Sequence, residues 1–244
     1  MLHNIKIILE YDGTRYKGFQ IQKDLDTIQG RLEDCLNTIL REKIKIKYSS
    51  RTDTGVHAKE QVINFITENK IDHVKLQRSM NAILPSDVVV KHIEEGETDF
   101  DSRRYAKSRE YEYYILNRKY PSAFDKNFML IDKELDIESM ILASKYLIGK
   151  KDFKAFCKDS SEVKNTVRNV NEVEIRKEGD FIVIKIIANS FIHQMVRIIV
   201  GTLIEVGLSK RESYEILQIL EKKQRIFAGK VAEAKGLYLT KINY

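Results

Sequence analysis

Residues 43–66 read KIKIKYSSRTDTGVHAKEQVINFI, in which two apolar runs flank a short polar stretch. The alternation of Lys and Ile over 43–48 predicts a half-buried strand, and the apolar run 61–66 predicts a second one. The stretch between them, residues 49–58, concentrates a guanidinium, a carboxylate, an imidazole, several hydroxyls and a glycine. Loops held by rigid strands often carry catalytic groups, but an ordinary β-turn in which Asp53 bonds its own backbone accounts for the same residues.

The patterns around this stretch predict a strand–helix–strand–strand–helix–strand order for the first half of the chain. The predicted elements are a strand over 5–11, a helix that begins after an N-cap at Thr27, strands over 43–48 and 61–66, a helix over 73–84 and a strand over 88–93. This is the βαββαβ order of a ferredoxin-like unit, in which helices cover one face of an antiparallel sheet.

The second half predicts the same order with one additional short helix. The predicted elements are a strand over 111–116, a helix over 135–148, strands over 170–175 and 181–188, a long apolar helix over 191–208, a short helix over 213–220 and a strand over 237–242. The sequence therefore predicts an α+β protein of two ferredoxin-like domains, residues 1–104 and 105–244. We expect them to join into one extended mixed or antiparallel sheet with a central cleft that brings the Asp53 loop beside groups of the second half.

Composition places the chain among globular proteins and limits its partners only weakly. Of the 244 residues, 43% are hydrophobic and 32% are charged, which is ordinary for a soluble domain. No apolar run approaches the ~20 residues of a membrane helix, and the N-terminal residues lack the apolar core of a signal peptide. Two cysteines without metal-ligand spacing fit a reducing compartment, so we expect no disulfide framework and no metal. The net charge of +6 permits a polyanionic partner without requiring one.

The run RTDTGVHA at 51–58 resembles the signature loop of the tRNA pseudouridine synthase A family, whose single essential aspartate matches Asp53. Four further runs resemble motifs of that family in the same order, namely YDGTRYKGFQ at 11–20, REYEY at 109–113, NSFIHQMVRIIVGTL at 189–203 and GLYL at 236–239. The resemblance implies isomerisation of uridine to pseudouridine in the anticodon stem-loop of tRNA, at positions 38, 39 and/or 40. It also implies a central RNA-binding cleft, a cytoplasmic homodimer and no cofactor.

The resemblance assigns roles to individual side chains near this loop. Asp53 is the catalytic residue and either attacks the sugar or removes a sugar proton. Tyr111 contacts the target base, and a planar ring suits a base flipped out of its stack. Arg197 pairs with Asp53. Apart from the resemblance, the position of Arg51 two residues before Asp53 makes it a candidate wedge that fills the space left by the flipped base. His57 either contacts a phosphate or packs.

A pool of basic residues would supply the track for the RNA backbone. Its members are Arg15, Lys17, Arg103, Arg104, Lys107, Arg109 and Arg168. The chain departs from the family pattern at Asp101, where histidine is common, at Thr54, where alanine is usual, and at Val167, where tryptophan is usual; these changes bear on substrate range more than on reaction type.

Two other classes of function remain open from the sequence. A non-catalytic RNA-binding or tRNA-folding protein on the same fold would use the same basic loops and aromatic residues. Asp53 argues against it, because a carboxylate that faces a polyanion is unfavourable for binding alone. A small-molecule enzyme would instead have a compact pocket and no salt-dependent binding of RNA.

Overall fold

The computed structural model describes residues 2–123, 126–158 and 163–244. The chain divides into two compact units: unit 1 comprises Met1–Lys107 and Tyr238–Tyr244, and unit 2 comprises Ser108–Leu237. The predicted boundary at 104/105 lies close to the boundary between the units. The C-terminal strand, which the sequence assigned to the second half, clusters with unit 1.

Ten strands and five α-helices are found in the part of the chain that the structure describes. The strands are β1 (His3–Tyr11), β2 (Lys47–Tyr48), β3 (His57–Thr67), β4 (Val88–Glu95), β5 (Ser108–Asn117), β6 (Met129–Ile131), β7 (Gly149–Asp152), β8 (Val167–Glu178), β9 (Phe181–Ala188) and β10 (Leu237–Asn243). The helices are α1 (Ile28–Leu40), α2 (His73–Ile83), α3 (Ile137–Lys145), α4 (Met195–Gly207) and α5 (Glu215–Lys222).

Unit 1 has the sheet order of a ferredoxin-like unit. Strand β1 lies between β4 and β3 and is antiparallel to both. The short β2 is antiparallel to β3, which it joins at Lys47 opposite Asn64. The order β4-β1-β3-β2 follows the chain order β1-α1-β2-β3-α2-β4, so the predicted βαββαβ unit is confirmed here. Strand β10 adds a parallel pairing to the start of β3, with Tyr238 opposite His57.

Helix α1 begins where the sequence predicts. The side-chain oxygen of Thr27 accepts a hydrogen bond from the Gly30 N–H at 3.3 Å, which satisfies one of the donors that the first helical turn leaves unpaired. Ile28, Leu32 and Leu36 on its apolar face are buried. The helix ends at Leu40 and is capped by Arg41, whose backbone has a φ of 57° and whose N–H donates to the Asn37 carbonyl.

The strand predicted over 43–48 is wrong for its first four residues. Ile44 and Ile46 are buried between exposed lysines, as the alternation suggests. The Ile44 N–H, however, donates to Asn37 Oδ1 at 2.7 Å, and the Ile46 N–H donates to Glu33 Oε1 at 3.2 Å. Because side chains of α1 take these donors, this stretch forms no ladder with β3, and only Lys47–Tyr48 pairs as a strand.

Unit 2 contains the elements of a ferredoxin-like unit with additions. Strand β9 is antiparallel to β5 on one side and to β8 on the other. The sequence missed two short strands: β7, which is antiparallel to β8, and β6, which is parallel to β5. The predicted strand over 181–188 agrees in both bounds with β9, and the additional short helix appears as α5.

The long helix predicted over 191–208 begins later than expected. Gln194 has a φ of 61°, in the left-handed region, and the Met195 N–H closes a turn onto the Ile192 carbonyl. Helical geometry therefore starts only at Met195, although Phe191 and Ile192 continue the apolar pattern. The helix predicted over 135–148 is shorter in the same way, since α3 covers Ile137–Lys145.

The α+β class that the sequence predicted is confirmed. Each unit combines helices with a mixed sheet, because β10 in unit 1 and β6 in unit 2 are parallel to their partners. The joining of the two sheets and the central cleft concern the arrangement of the units and remain predictions. Among the described residues, no helix is both long and apolar enough to cross a membrane.

Candidate active site

The loop of residues 49–56 connects β2 to β3 and is clamped at its start by Gln61. This side chain is fully buried. Its Oε1 accepts hydrogen bonds from the Ser49 hydroxyl at 2.6 Å and the Ser50 N–H at 3.3 Å, and its Nε2 donates to the Ser50 carbonyl at 2.8 Å. One amide thus fixes two consecutive residues of the loop from within β3.

The centre of the loop is fixed at Thr52, immediately before Asp53. The Thr52 hydroxyl hydrogen-bonds with the Tyr11 hydroxyl at 2.8 Å, and its carbonyl accepts the Phe19 N–H at 3.0 Å. The Val56 N–H closes a turn onto the Asp53 carbonyl at 3.1 Å. Asp53 itself is half-buried. The backbone on both sides of this carboxylate is therefore held by hydrogen bonds.

Two glycines of residues 11–20 allow that segment to lie directly against the Asp53 loop. A Cβ on Gly13 would lie 2.0 Å from the Val56 carbonyl oxygen. Gly18 has a φ of +90°, and a Cβ there would lie 2.9 Å from the Thr52 carbonyl oxygen. Only glycine permits such backbone contact at the first position, and only glycine takes that φ without strain at the second. The runs at 11–20 and 51–58 thus pack against each other.

His57 is a packed residue at the end of this loop. Its side chain is 1% exposed, and its Nδ1 lies 3.1 Å from the Gly13 N and 3.0 Å from Asp12 Oδ1. Its ring stacks on Tyr238 with centroids 4.6 Å apart and planes at 22°. Of the two roles left open for His57, this burial fits packing.

Arg51 has the opposite environment. It is exposed, and its Nε lies 3.4 Å from the Tyr48 hydroxyl, a long contact for a hydrogen bond. Its place two residues before Asp53 fits the predicted wedge, which remains a prediction.

Arg197 lies on α4 and is anchored within unit 2. Its Nε donates to the Ala232 carbonyl at 2.8 Å, and the Ala232 N–H donates back to the Arg197 carbonyl at 3.0 Å. Residues 228–232 can run this close to α4 because of Gly201, where a Cβ would lie 1.7 Å from the Lys230 carbonyl oxygen. The predicted pairing of Arg197 with Asp53 joins the two units and remains a prediction.

Tyr111 is packed on the sheet of unit 2. Its ring is 5% exposed and meets Phe191 edge to face, with centroids 5.2 Å apart and planes at 85°. Phe191 lies in the turn before α4, so the late start of this helix brings an aromatic ring to Tyr111. Base stacking by Tyr111 remains a prediction.

The predicted RNA-binding residues fall into different environments. Arg15 is exposed but forms an ion pair with Asp87 Oδ2, from its Nε at 2.7 Å and its Nη2 at 2.6 Å, and this carboxylate raises the pKa of the guanidinium. The side chains of Lys17, Arg103, Arg104 and Lys107 are exposed.

The remaining two basic residues hold backbone carbonyl groups. Arg109 is 8% exposed, and its Nη1 donates to the Asn189 carbonyl at 2.8 Å. Arg168 is half-buried, and its Nη1 donates to the carbonyls of Asn165 at 2.9 Å and Val167 at 2.7 Å; burial lowers its pKa. Both arginines therefore stabilise the backbone of unit 2, whether or not they also contact RNA.

The cysteines are separate from this chemistry. Cys35 and Cys157 are both buried and form no disulfide. Burial raises the pKa of Cys35 to about 11, so the thiol stays protonated at neutral pH. No group of three or more His, Cys, Asp or Glu side chains that could hold a metal ion occurs within residues 2–123, 126–158 and 163–244.

The residues that hold the Asp53 loop were not predicted from the sequence. Gln61 was the first residue of a predicted strand, yet a long amide that opens an apolar run and points inward must find partners. Thr52 carried no signal beyond its place beside Asp53. The carbonyl of Ala232, which anchors Arg197, is a backbone group, and no residue pattern identifies it.

Comparison with known proteins identifies the family of this chain. The family model described as tRNA pseudouridine synthase matches residues 7–104 and 143–244. The protein named tRNA pseudouridine synthase A of Thermoanaerobacter sp. (strain X514) is 45% identical over 244 residues, and that of Acetivibrio thermocellus is 41% identical over 244 residues. The match covers 100% of this chain and 100% of each relative.

A solved structure of a Cbf5-Nop10-Gar1 complex gives a weaker likeness. It shares 13% sequence identity and has a TM-score of 0.40, over 97% of this chain and 48% of that chain. The full-length sequence relatives and the family match, rather than this structure, decide the assignment: the chain belongs to the tRNA pseudouridine synthase family.

Proposed function

We propose that this chain isomerises uridine to pseudouridine in the anticodon stem-loop of tRNA, at positions 38, 39 and/or 40, with Asp53 as the catalytic carboxylate. The carrying observation is the Asp53 loop, in which side chains of β1 and β3 and the segment of residues 11–20 fix the backbone while the carboxylate stays half-buried. Membership of the family supplies the reaction class, and full-length relatives named for tRNA supply the substrate class.

The reaction needs only groups that a protein supplies. The bond from the ribose C1′ to the uracil N1 breaks, the uracil turns, and C1′ rejoins through C5; the C5 proton is lost and N1 gains one, so the product is an isomer. Asp53 either attacks the sugar or removes a sugar proton. A carboxylate serves both routes, and neither requires a redox step.

The target nucleotide must leave its stack before Asp53 can reach it. Flipping a base costs a few kcal/mol. Arg51 is exposed beside Asp53, and its planar guanidinium can fill the gap and hold a phosphate. We assign the stacking of the flipped uracil to Tyr111 and the pairing with Asp53 to Arg197. The exposed basic side chains of Lys17, Arg103, Arg104 and Lys107 support an electrostatic track for the RNA backbone.

The decisive experiment maps pseudouridine in unmodified tRNA transcripts with and without the purified protein. We expect new pseudouridine only at 38, 39 and/or 40. With about six phosphate contacts, the logarithm of the binding constant should fall with the logarithm of salt at a slope of roughly −4 to −5.

Other outcomes would point to the other two classes. Salt-dependent binding of tRNA with no pseudouridine would favour a non-catalytic RNA-binding protein. A slope near zero, with no pseudouridine, would favour a small-molecule enzyme.

We also propose a cytoplasmic homodimer. Sedimentation equilibrium at micromolar concentration, with and without tRNA, tests the stoichiometry. A monomer in both conditions would contradict it.

A further inference from the structure

Asp101 lies at the start of the turn that carries two exposed arginines. Its side chain is largely buried, and its Oδ1 accepts hydrogen bonds from the N–H groups of both Arg103 and Arg104 at 3.0 Å. The Tyr105 N–H closes the same turn onto the Asp101 carbonyl at 3.0 Å. One carboxylate oxygen thus sets the backbone from which both guanidinium groups project.

The other oxygen of Asp101 ties this turn to β2. The Lys47 Nζ lies 3.0 Å from Asp101 Oδ2. Lys47 pairs across the sheet with Asn64 of β3, whose Oδ1 accepts the Ser102 N–H at 3.0 Å and whose Nδ2 donates to the Phe100 carbonyl at 3.1 Å. The turn is therefore attached at one point of the sheet by an ion pair and two amide hydrogen bonds.

The attachment point lies on β2, the last strand before the Asp53 loop. Strand β2 consists of Lys47 and Tyr48 alone, and residues 49–56 follow immediately. The Tyr48 hydroxyl also lies 3.4 Å from the Arg51 Nε. A two-residue strand thus carries the lysine that holds the arginine turn and leads into the loop that presents Asp53.

We propose that Asp101 is a positioning residue that presents Arg103 and Arg104 to tRNA phosphates and fixes their place relative to the Asp53 loop. The inference rests on the proposed function for the identity of the RNA. Burial tends to raise the pKa of Asp101, but Lys47 and the N–H groups of Arg104 and Arg103 lower it further, so the carboxylate is charged at neutral pH.

The sign of a mutational effect separates positioning from simple electrostatics. A carboxylate near a polyanion repels it, so electrostatics alone predicts that removing Asp101 tightens tRNA binding. Positioning predicts the opposite, because the backbone of both arginines loses its acceptor. The neighbouring Asp99 is a matched control: it is an exposed carboxylate on the same connector, and it accepts a hydrogen bond from Tyr105 instead of holding the turn.

The experiment measures the dissociation constant of a tRNA transcript against salt for the wild type and three variants. Asp101→Ala should weaken binding about tenfold or more, as expected when charge-assisted hydrogen bonds are lost. Asp101→Asn, which keeps one acceptor, should fall between it and the wild type. The salt slope of Asp101→Ala should be smaller by about 1.4–1.8, which corresponds to two phosphate contacts. Asp99→Asn should bind as tightly as the wild type or more tightly.

A second background ties the effect to the two arginines. In Arg103→Gln/Arg104→Gln, adding Asp101→Asn should cause no further loss of affinity. Equal or tighter binding by Asp101→Asn and Asp101→Ala with an unchanged slope would overturn the inference, as would an additive loss in the double-arginine background. All of these are binding measurements, so they remain decisive if the wild type binds tRNA without forming pseudouridine, a result that would overturn the proposed function alone.

Discussion

The Asp53 loop and the start of α4 each present a residue proposed to act on the same uridine, but they hold it differently. In the loop, neighbouring residues are fixed: Gln61 holds the backbone before Asp53, and Tyr11 holds Thr52 beside it. On α4, the functional side chain is itself an anchor, since Arg197 Nε donates to the Ala232 carbonyl.

This difference predicts whether replacing the proposed functional residue lowers turnover alone or lowers stability as well. Where neighbours carry the structure, the functional group can be exchanged at little cost to folding. Where the functional group also carries the structure, its loss should lower both stability and turnover. In the first region, neighbouring residues hold Asp53 in place. In the second region, Arg197 itself forms the hydrogen bond that holds the structure together.

Asp53→Asn gives the largest expected effect and tests the first half of the comparison. Single-turnover pseudouridine formation should fall at least about a hundredfold, since proton transfer by a positioned carboxylate contributes ~10²–10⁴ in rate. Shape is preserved, so the free energy of unfolding should change by less than about 0.5 kcal/mol and tRNA binding should persist. Substantial turnover by a variant sample free of wild-type protein would remove Asp53 from the chemistry.

Arg197→Met tests the second half. Turnover should fall strongly, and the free energy of unfolding should fall by about 1.5–3 kcal/mol, because a charged donor to the Ala232 carbonyl is lost. Urea unfolding followed by circular dichroism measures this. Arg197→Lys is the matched control: it keeps the charge without the planar Nε–H, so it should also lose stability. If Arg197→Met had the same free energy of unfolding as the wild type, the hydrogen bond from Arg197 to the Ala232 carbonyl would not stabilise the fold.

Two glycine substitutions sharpen the comparison at the level of the backbone. Gly13→Ala places a Cβ 2.0 Å from the Val56 carbonyl oxygen, and Gly201→Ala places one 1.7 Å from the Lys230 carbonyl oxygen. Each should cost about 1–3 kcal/mol of stability through overpacking. Gly13→Ala should in addition reduce single-turnover rates, because it displaces the loop of Asp53. A Gly13→Ala protein that is destabilised but turns over normally would show that the loop tolerates displacement.

Arg51→Ala has the smallest expected effect on the fold. Arg51 is exposed and its hydrogen bond with Tyr48 is long, so the free energy of unfolding should change by less than about 0.5 kcal/mol and tRNA affinity only slightly. Turnover should fall, and a substrate whose target uridine is already unstacked should recover part of the rate in Arg51→Ala but none in Asp53→Asn. The exposed Lys43 supplies a control in Lys43→Ala. Equal losses on stacked and unstacked substrates would exclude a flipping role.

The sequence predicted most of the elements because their patterns are local. The apolar spacing and the Thr27 cap located α1, and the apolar run of 181–188 located β9. The wrong predictions occur where a side chain accepts a backbone N–H group that a strand would use, or where a turn interrupts helical geometry. Residues 43–46 alternate like a strand, but α1 side chains take their N–H groups. Phe191 and Ile192 continue the apolar pattern of α4, but Gln194 has a left-handed backbone.

The sequence by itself determined the motif that contains Asp53, the order of the elements and the family that the chain resembles. These follow from residue identity and periodicity, which a linear chain displays directly. Only the tertiary structure decided that His57 is packed on Tyr238, that Arg15 is paired with Asp87, and that Asp101 holds the backbone of two arginines. The partners of His57 and Arg15 lie far away along the chain, and the partners of Asp101 are backbone N–H groups, which residue identity does not single out. Folding alone selects which of them meet, because buried polar groups must find partners at hydrogen-bond distance.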